Sequence, residues 1–142
     1  LIDVLKVPSP LAIQNGPGPV VYTYSLRNIG TVPVTNITMG GDFCSPILLA
    51  FGDANSNATL EVNETWVYRC MTTLSQTHTN TVTATGWANG ISATDIASAT
   101  VVVGMSVLSP LIQSLTAEDP IIATAFASAP KLPNTGFPPK VK

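Results

Sequence analysis

Charge is what this chain has least of. Of its 142 residues only 10% are Asp, Glu, Lys or Arg, against roughly a quarter in ordinary soluble proteins. Six Lys and Arg stand against eight Asp and Glu, a formal net charge of −2, and no segment gathers the basic residues into a stripe. Counterion release, which drives nucleic-acid binding, has nothing to act through, so nucleic acid is excluded as a main partner. Histidine occurs once and cysteine twice. With no Ser/His/Asp motif, the chain reads as non-enzymatic. Apolar runs are short as well: Pro, Gly or an acid interrupts each one well before the roughly 18 residues of a membrane helix. The start carries neither an initiator Met nor a basic-then-apolar leader, and the expectation is that Leu1 follows a removed segment or lies inside a longer protein.

What is present is apolar and β-prone. Hydrophobic residues make up 45% of the chain, which argues against intrinsic disorder. Residues 1–103 are rich in Thr, Val, Ile and Asn, with turn residues roughly every 8 to 12 positions, the punctuation of an all-β sandwich or barrel. In the run from Val20 to Asn28, Val20, Tyr22, Tyr24 and Leu26 share one face, while Val21, Thr23, Ser25 and Arg27 share the other. Asn28-Ile-Gly30 makes a turn, and Val32 to Met39 reads as the partner strand, with Pro33 placing it near an edge or a strand start. Phe43 to Phe51, Thr65 to Thr73, Thr79 to Ala88, Ser92 to Val103 and Leu1 to Val7 complete seven short strands, which suit two packed sheets. Trp66, Tyr68 and Cys70 alternate onto the core side of their strand. His78 reads as a solvent-facing turn residue. Lys6, between Leu5 and Val7, is the body's one candidate for a self-formed Lys–Asn cross-link, which needs the Lys buried beside an acid. From Gly104 the pattern fails. Pro110, Pro120, Pro130, Pro133, Pro138 and Pro139 punctuate an Ala/Ser/Leu-rich stretch, so residues 104–142 read as an extended tail or spacer. Two apolar pieces in it, Met105 to Leu115 and Ile121 to Phe126, suit added strands along the body or along a neighbouring molecule.

Half of the acidic residues, Asp42, Asp53, Glu61 and Glu64, fall between positions 42 and 64 with no Lys or Arg among them. Such an imbalance needs a cation or open water. From Asp53 the stretch matches the twelve-residue calcium loop. Asp53 stands at its first position, Asn55 at the third, Asn57 at the fifth, Thr59 with a backbone carbonyl at the seventh, Glu61 at the ninth and Glu64 at the twelfth. A loop winding round a hard cation points alternate side chains inward, and the last Glu closes the cage with two oxygens. Ala58 takes the place of the sharp-turn glycine, and two Asn lower the ligand charge, so the expected calcium affinity is weak, on the order of 10⁻⁴ to 10⁻³ M. The competing reading is an Asn/Asp-rich turn that holds nothing. Cys44 and Cys70 bracket the loop, and a disulfide between them would pin strands at its base and require an oxidising, extracytoplasmic compartment. A two-Cys metal site lacks further soft ligands, and a redox pair would prefer CxxC spacing. Asn36-Ile-Thr38, Asn57-Ala-Thr59 and Asn63-Glu-Thr65 are glycosylation sequons, common by chance in so Thr- and Asn-rich a chain.

The run VVYTYSLRNIGTVPVTNITM, the following Cys, the segment from Gly52 through VNETW to Cys70 and the stretch TNTVTATGWANG together resemble the conserved-repeat immunoglobulin-like domain of bacterial and archaeal surface proteins, over about residues 1–103. The resemblance implies an immunoglobulin-like β-sandwich at the cell surface, serving as stalk, spacer or adhesive module. Leu132-Pro133-Asn134-Thr135-Gly136 is similar to the LPxTG sorting signal of sortase substrates, which the transpeptidase cuts between the residues corresponding to Thr135 and Gly136. Such signals continue into an apolar span and a basic end, whereas only Phe137 to Lys142 follows here.

Together these readings give an extracellular, non-enzymatic subunit of a surface fibre, pilus or stalk. It would be stiffened by calcium and a disulfide, and its tail or first strand would contact a copy of itself or another surface protein, with sortase as a further partner. The alternative is an adhesin or carbohydrate-binding module that uses the acidic loop, with Trp87 and Phe51 as its aromatic platform.

Overall fold

The computed structural model describes residues 1–41 and 43–105, which form eight strands and no helix. They are β1 (Ile2–Ser9), β2 (Ala12–Ile13), β3 (Gly18–Asn28), β4 (Thr35–Gly41), β5 (Leu48–Phe51), β6 (Thr65–Leu74), β7 (His78–Ala88) and β8 (Ile91–Val103). Two four-stranded sheets result, one in the order β1-β3-β6-β5 and the other β2-β8-β7-β4. This is the strand order of an immunoglobulin-like sandwich. Asp42 and residues 106–142, with the LPNTG motif and nearly all of the expected tail, lie outside the described residues.

Strict period-two alternation builds the core. Val20, Tyr22, Tyr24 and Leu26 of β3 are fully buried, and Trp66, Tyr68 and Cys70 of β6 stand beside them. From the other sheet come Val82 and Ala84 of β7 and Val101 of β8, each 0% exposed. The outward positions of β7 and β8 carry hydroxyls that pair across the strands: Thr79 with Thr100 at 2.7 Å and Thr81 with Ser98 at 2.9 Å. One face is thereby greasy and the other is satisfied by Thr, which explains how a chain so poor in charge covers its surface.

Several sequence expectations need correction. An eighth strand exists because Pro10 has no N–H to extend the ladder of β1 with β3; the chain leaves that sheet after Ser9 and pairs Ala12 and Ile13 in parallel with Val102 and Val103. The strand expected from Val32 does not pair with β3. It starts at Thr35 and pairs with β7 in the opposite sheet, as an edge strand. The strand expected from Phe43 shrinks to Leu48–Phe51, since Cys44 and Pro46 lie in the irregular segment that crosses between sheets. His78 is not a solvent-facing turn residue: it opens β7, half-buried, with its ring 4.6 Å from that of Phe43.

Cys44 and Cys70 form a disulfide with a sequence separation of 26. It does not stand at the foot of the acidic loop. Cys70 pairs with Tyr22, whereas the loop departs from Phe51 and returns at Thr65, at the other end of β5 and β6. The bridge instead fastens the crossing segment to the face of β6. Closing a loop of this length restricts the unfolded chain by about 3 to 4 kcal/mol. Replacing both cysteines by Ala should lower the unfolding free energy by about that amount in denaturant titrations; an unchanged midpoint would show that the bridge adds no constraint.

Candidate functional site

The acidic loop spans residues 52–64. Gly52 launches it with φ of +128°, and a Cβ there would lie 2.5 Å from the Thr65 carbonyl oxygen and 2.6 Å from Trp66 Cα, so only glycine fits. Asp53 then organises the turn. Its Oδ1 accepts the Asn57 N–H at 3.1 Å, its Oδ2 accepts the Ala58 N–H at 3.0 Å, and its carbonyl accepts the Ser56 N–H at 3.3 Å. Asn55 Oδ1 accepts the Asn57 N–H at 3.2 Å, and Asn57 Oδ1 accepts the Thr59 N–H at 2.8 Å. Ala58 has φ of 57°, the left-handed turn that the sixth position of a calcium loop demands and for which glycine is the usual residue.

The far half of the loop centres on Glu61. Its Oε1 accepts the side-chain N–H of Asn57 at 2.6 Å and of Asn55 at 3.3 Å, while its own backbone N–H donates to Glu64 Oε2 at 2.9 Å. Five of the six expected ligand residues, Asp53, Asn55, Asn57, Glu61 and Glu64, therefore meet in one hydrogen-bonded knot. Thr59 joins it through its backbone, its hydroxyl donating to the Asn57 carbonyl at 3.4 Å. As arranged, the oxygens face backbone N–H groups and the Asn amides face Glu61. Among the described residues no three His, Cys, Asp or Glu side chains form a group that could hold a metal. Each carboxylate oxygen retains further lone pairs, so a cation would have to draw on Asn and backbone oxygens as well.

Sequence reasoning missed what anchors this knot. Leu60, at the aliphatic eighth position, is fully buried and bridges Val34, with the two backbone bonds at 2.8 and 3.0 Å. Asn28, 1% exposed, donates from Nδ2 to the carbonyls of Val32 at 2.8 Å and Leu60 at 2.9 Å and accepts the Gly30 N–H at 2.9 Å. Its backbone exchanges bonds with Asn63 and Glu64. The only advance signal was the turn at Asn28-Ile-Gly30, which fits an Asx-type bond without revealing its long-range partners.

Electrostatics set the loop apart. The hydrogen bond from Asn57 chiefly, with Glu64 and Asn55 adding to it, holds the Glu61 carboxyl down at about 2. Burial first, and then the negative charge of Asp53, push the Tyr68 hydroxyl up to about 12. That places the otherwise buried Tyr68 ring within electrostatic reach of the loop. Phe51, immediately before it, is 60% exposed, and Trp87, paired with Thr35 beside Val34, is 46% exposed. No protein-family model matches this chain, and no curated protein does.

The depressed Glu61 value has a definite sign. Its folded pKa lies below the unfolded value of 4.5, so its contribution to stability is complete above the unfolded value and is lost as pH falls toward about 2. Unfolding titrations of Glu61→Gln should lack this acid limb between about 4.5 and 2; an identical limb in both proteins would assign the pH dependence to other carboxylates.

Proposed function

We propose that this chain is a non-enzymatic structural module of an extracytoplasmic, cell-surface assembly such as a fibre, pilus or stalk. The observation that carries this reading is the combination of a disulfide with an apolar sheet edge that no other described strand covers. Among the described residues strand β5 pairs only with β6, and Leu48, Leu49 and Phe51 on it are 62%, 44% and 60% exposed. An open edge with apolar side chains is a template for strand addition, and the apolar sequence of the tail would suit such an added strand in a neighbouring copy. The resemblance to conserved-repeat immunoglobulin-like surface domains and the LPNTG motif support the same location and suggest sortase as a partner. The full chain should assemble into particles or fibres visible by electron microscopy, and removal of residues 104–142 should abolish them. Undiminished assembly of the shortened chain would reject the tail's part.

Calcium belongs to this reading as a stiffener of the Asp53–Glu64 loop. Binding would turn the Asn55 and Asn57 oxygens from backbone N–H groups toward the ion, with Asp53, Glu61, Glu64 and the Thr59 carbonyl completing the set. Millimolar calcium should then raise the melting temperature and chelator should reverse it. Ala58→Gly, which relieves a left-handed alanine costing about 1 kcal/mol, should increase the calcium response, whereas Asp53→Asn should remove it. A melting temperature indifferent to calcium in all three proteins would leave the loop as a self-bonded turn. The exposure of Phe51 and Trp87 favours one second reading, an adhesin or carbohydrate-binding module with these rings as its platform.

A further inference from the structure

Of the three buried polar side chains among the described residues, Asn28 caps the crossing already described, and Lys6 and Asn80 remain. Lys6 is 5% exposed, with Nζ 4.5 Å from the ring centroid of Tyr22 and 5.0 Å from that of Tyr24. Asn80 on β7 is 0% exposed, and neither its amide oxygen nor its amide nitrogen has a hydrogen-bond partner among the described residues. Asn28 shows what a structural buried asparagine does, with both polar atoms engaged. An unsatisfied buried carboxamide costs a kcal/mol or several and calls for a reason.

Register brings the two together. The Val4 N–H donates to Asp95 Oδ2 at 2.7 Å, and Ala12 pairs with Val102, so β1 and β2 run alongside β8 in one direction. Counting along from the first tie sets Lys6 level with Ala97 and Pro8 level with Ala99. The β7 partner of Ala99 is Asn80. Within its own sheet Lys6 pairs with Tyr24 and Pro8 with Tyr22. Yet Nζ lies closer to the Tyr22 ring than to Tyr24. The Lys6 amine thus contacts rings at its own level and at the Pro8 level, and the latter is the level of Asn80. Cα atoms of β1 and β7 come within 8 Å of one another, a separation that a lysine and an asparagine side chain together span.

We propose that Lys6 and Asn80 are the two halves of a self-formed isopeptide bond joining β1 to β7 across the sandwich. The Lys6 amine, once it has given its proton to the half-buried Asp95 carboxylate one inward position away on β8, attacks the Asn80 side-chain carbonyl carbon. A new C–N bond forms, the old one to the amide nitrogen breaks, and a proton from the amine leaves with that nitrogen as ammonia. No oxidant, reductant or nucleotide is consumed. The surrounding Tyr rings exclude water, which would otherwise compete as the nucleophile. The bond is independent of where the protein works and of whether the loop takes calcium.

Intact-mass measurement of the reduced, folded full chain tests this. Its mass should be lower than the sequence mass by one ammonia. Tryptic digestion should leave the Lys6 site uncut, with the Leu1–Arg27 peptide linked to the one containing Asn80. Lys6→Arg and Asn80→Ala, each checked for a folded near-ultraviolet circular dichroism signal and an intact Cys44–Cys70 bridge, should both have full sequence mass. Should either variant fail to fold, the linked peptide in the parent chain decides the matter. A folded parent chain at full mass overturns the proposal. So does an ammonia loss that persists in Asn80→Ala, which would mark succinimide formation at Asn89-Gly90 instead.

Discussion

The side chain of Asn28 is the interaction on which this architecture turns. β3 ends there, the chain crosses to the second sheet, and the acidic loop docks at the same point. One carboxamide ties all three together by donating to Val32 and Leu60 and accepting from Gly30. Each carbonyl it caps is removed from water by the crossing itself, so losing the side chain would leave several buried backbone groups unpaired at once. The Val34–Leu60 bridge, and through it the placement of Asp53 to Glu64, is downstream of that residue. An acidic loop with no basic neighbour in sequence is held by neutral hydrogen bonds and one buried Leu, which is consistent with a chain that has little charge to deploy.

The second crossing, from β4 to β5, is handled by covalent chemistry instead. The segment around Cys44 contains Pro46 and forms no ladder, so it lacks the hydrogen bonds that would fix it to either sheet. The bridge to Cys70 supplies that fixation. The two crossings sit at opposite ends of β5, one secured by an asparagine and the other by sulfur. Between them β5 is only four residues long and, among the described residues, keeps one side open.

Legibility in the sequence followed the range of each interaction. Alternation in β3, β6 and β7 is local, and the core faces of Val20 to Leu26, of Trp66 to Cys70 and of Val82 with Ala84 could be read directly. The expected sandwich and the Cys44–Cys70 pairing are both present. Strand partners were less legible: a short turn such as Asn28-Ile-Gly30 reads equally as a hairpin or as a crossing, and only the distant Leu60 carbonyl decides it. The six loop residues were located as a group. Their hydrogen bonds were not foreseeable, because Asn can present oxygen to an ion or nitrogen to a carboxylate from the same position. Lys6 and Asn80 stand at inward positions of their strands. Pattern alone marks them as polar exceptions, and only the register between sheets relates them.

In the proposed stalk or fibre, force would give these details a common meaning. β1 begins at Ile2 and β8 ends at Val103, and the two run side by side in the same direction, so tension applied through the two ends enters at opposite poles of the sandwich. It loads the β1–β3 and β7–β8 ladders along their length, which shares the load over many backbone bonds at once instead of opening them in turn. The weak element under such a load is β1, an edge strand held by β3 on one side and, toward β8, by the Val4–Asp95 bond. The disulfide offers no help, because both its sulfurs lie between residues 44 and 70, away from either end of the chain. A covalent tie from β1 to β7 would take residues 7–79 out of the loaded path and leave the tension to the β7–β8 ladder. The position of Lys6, on the first strand and turned into the core, is thus where a bond would matter most for a molecule that works under tension.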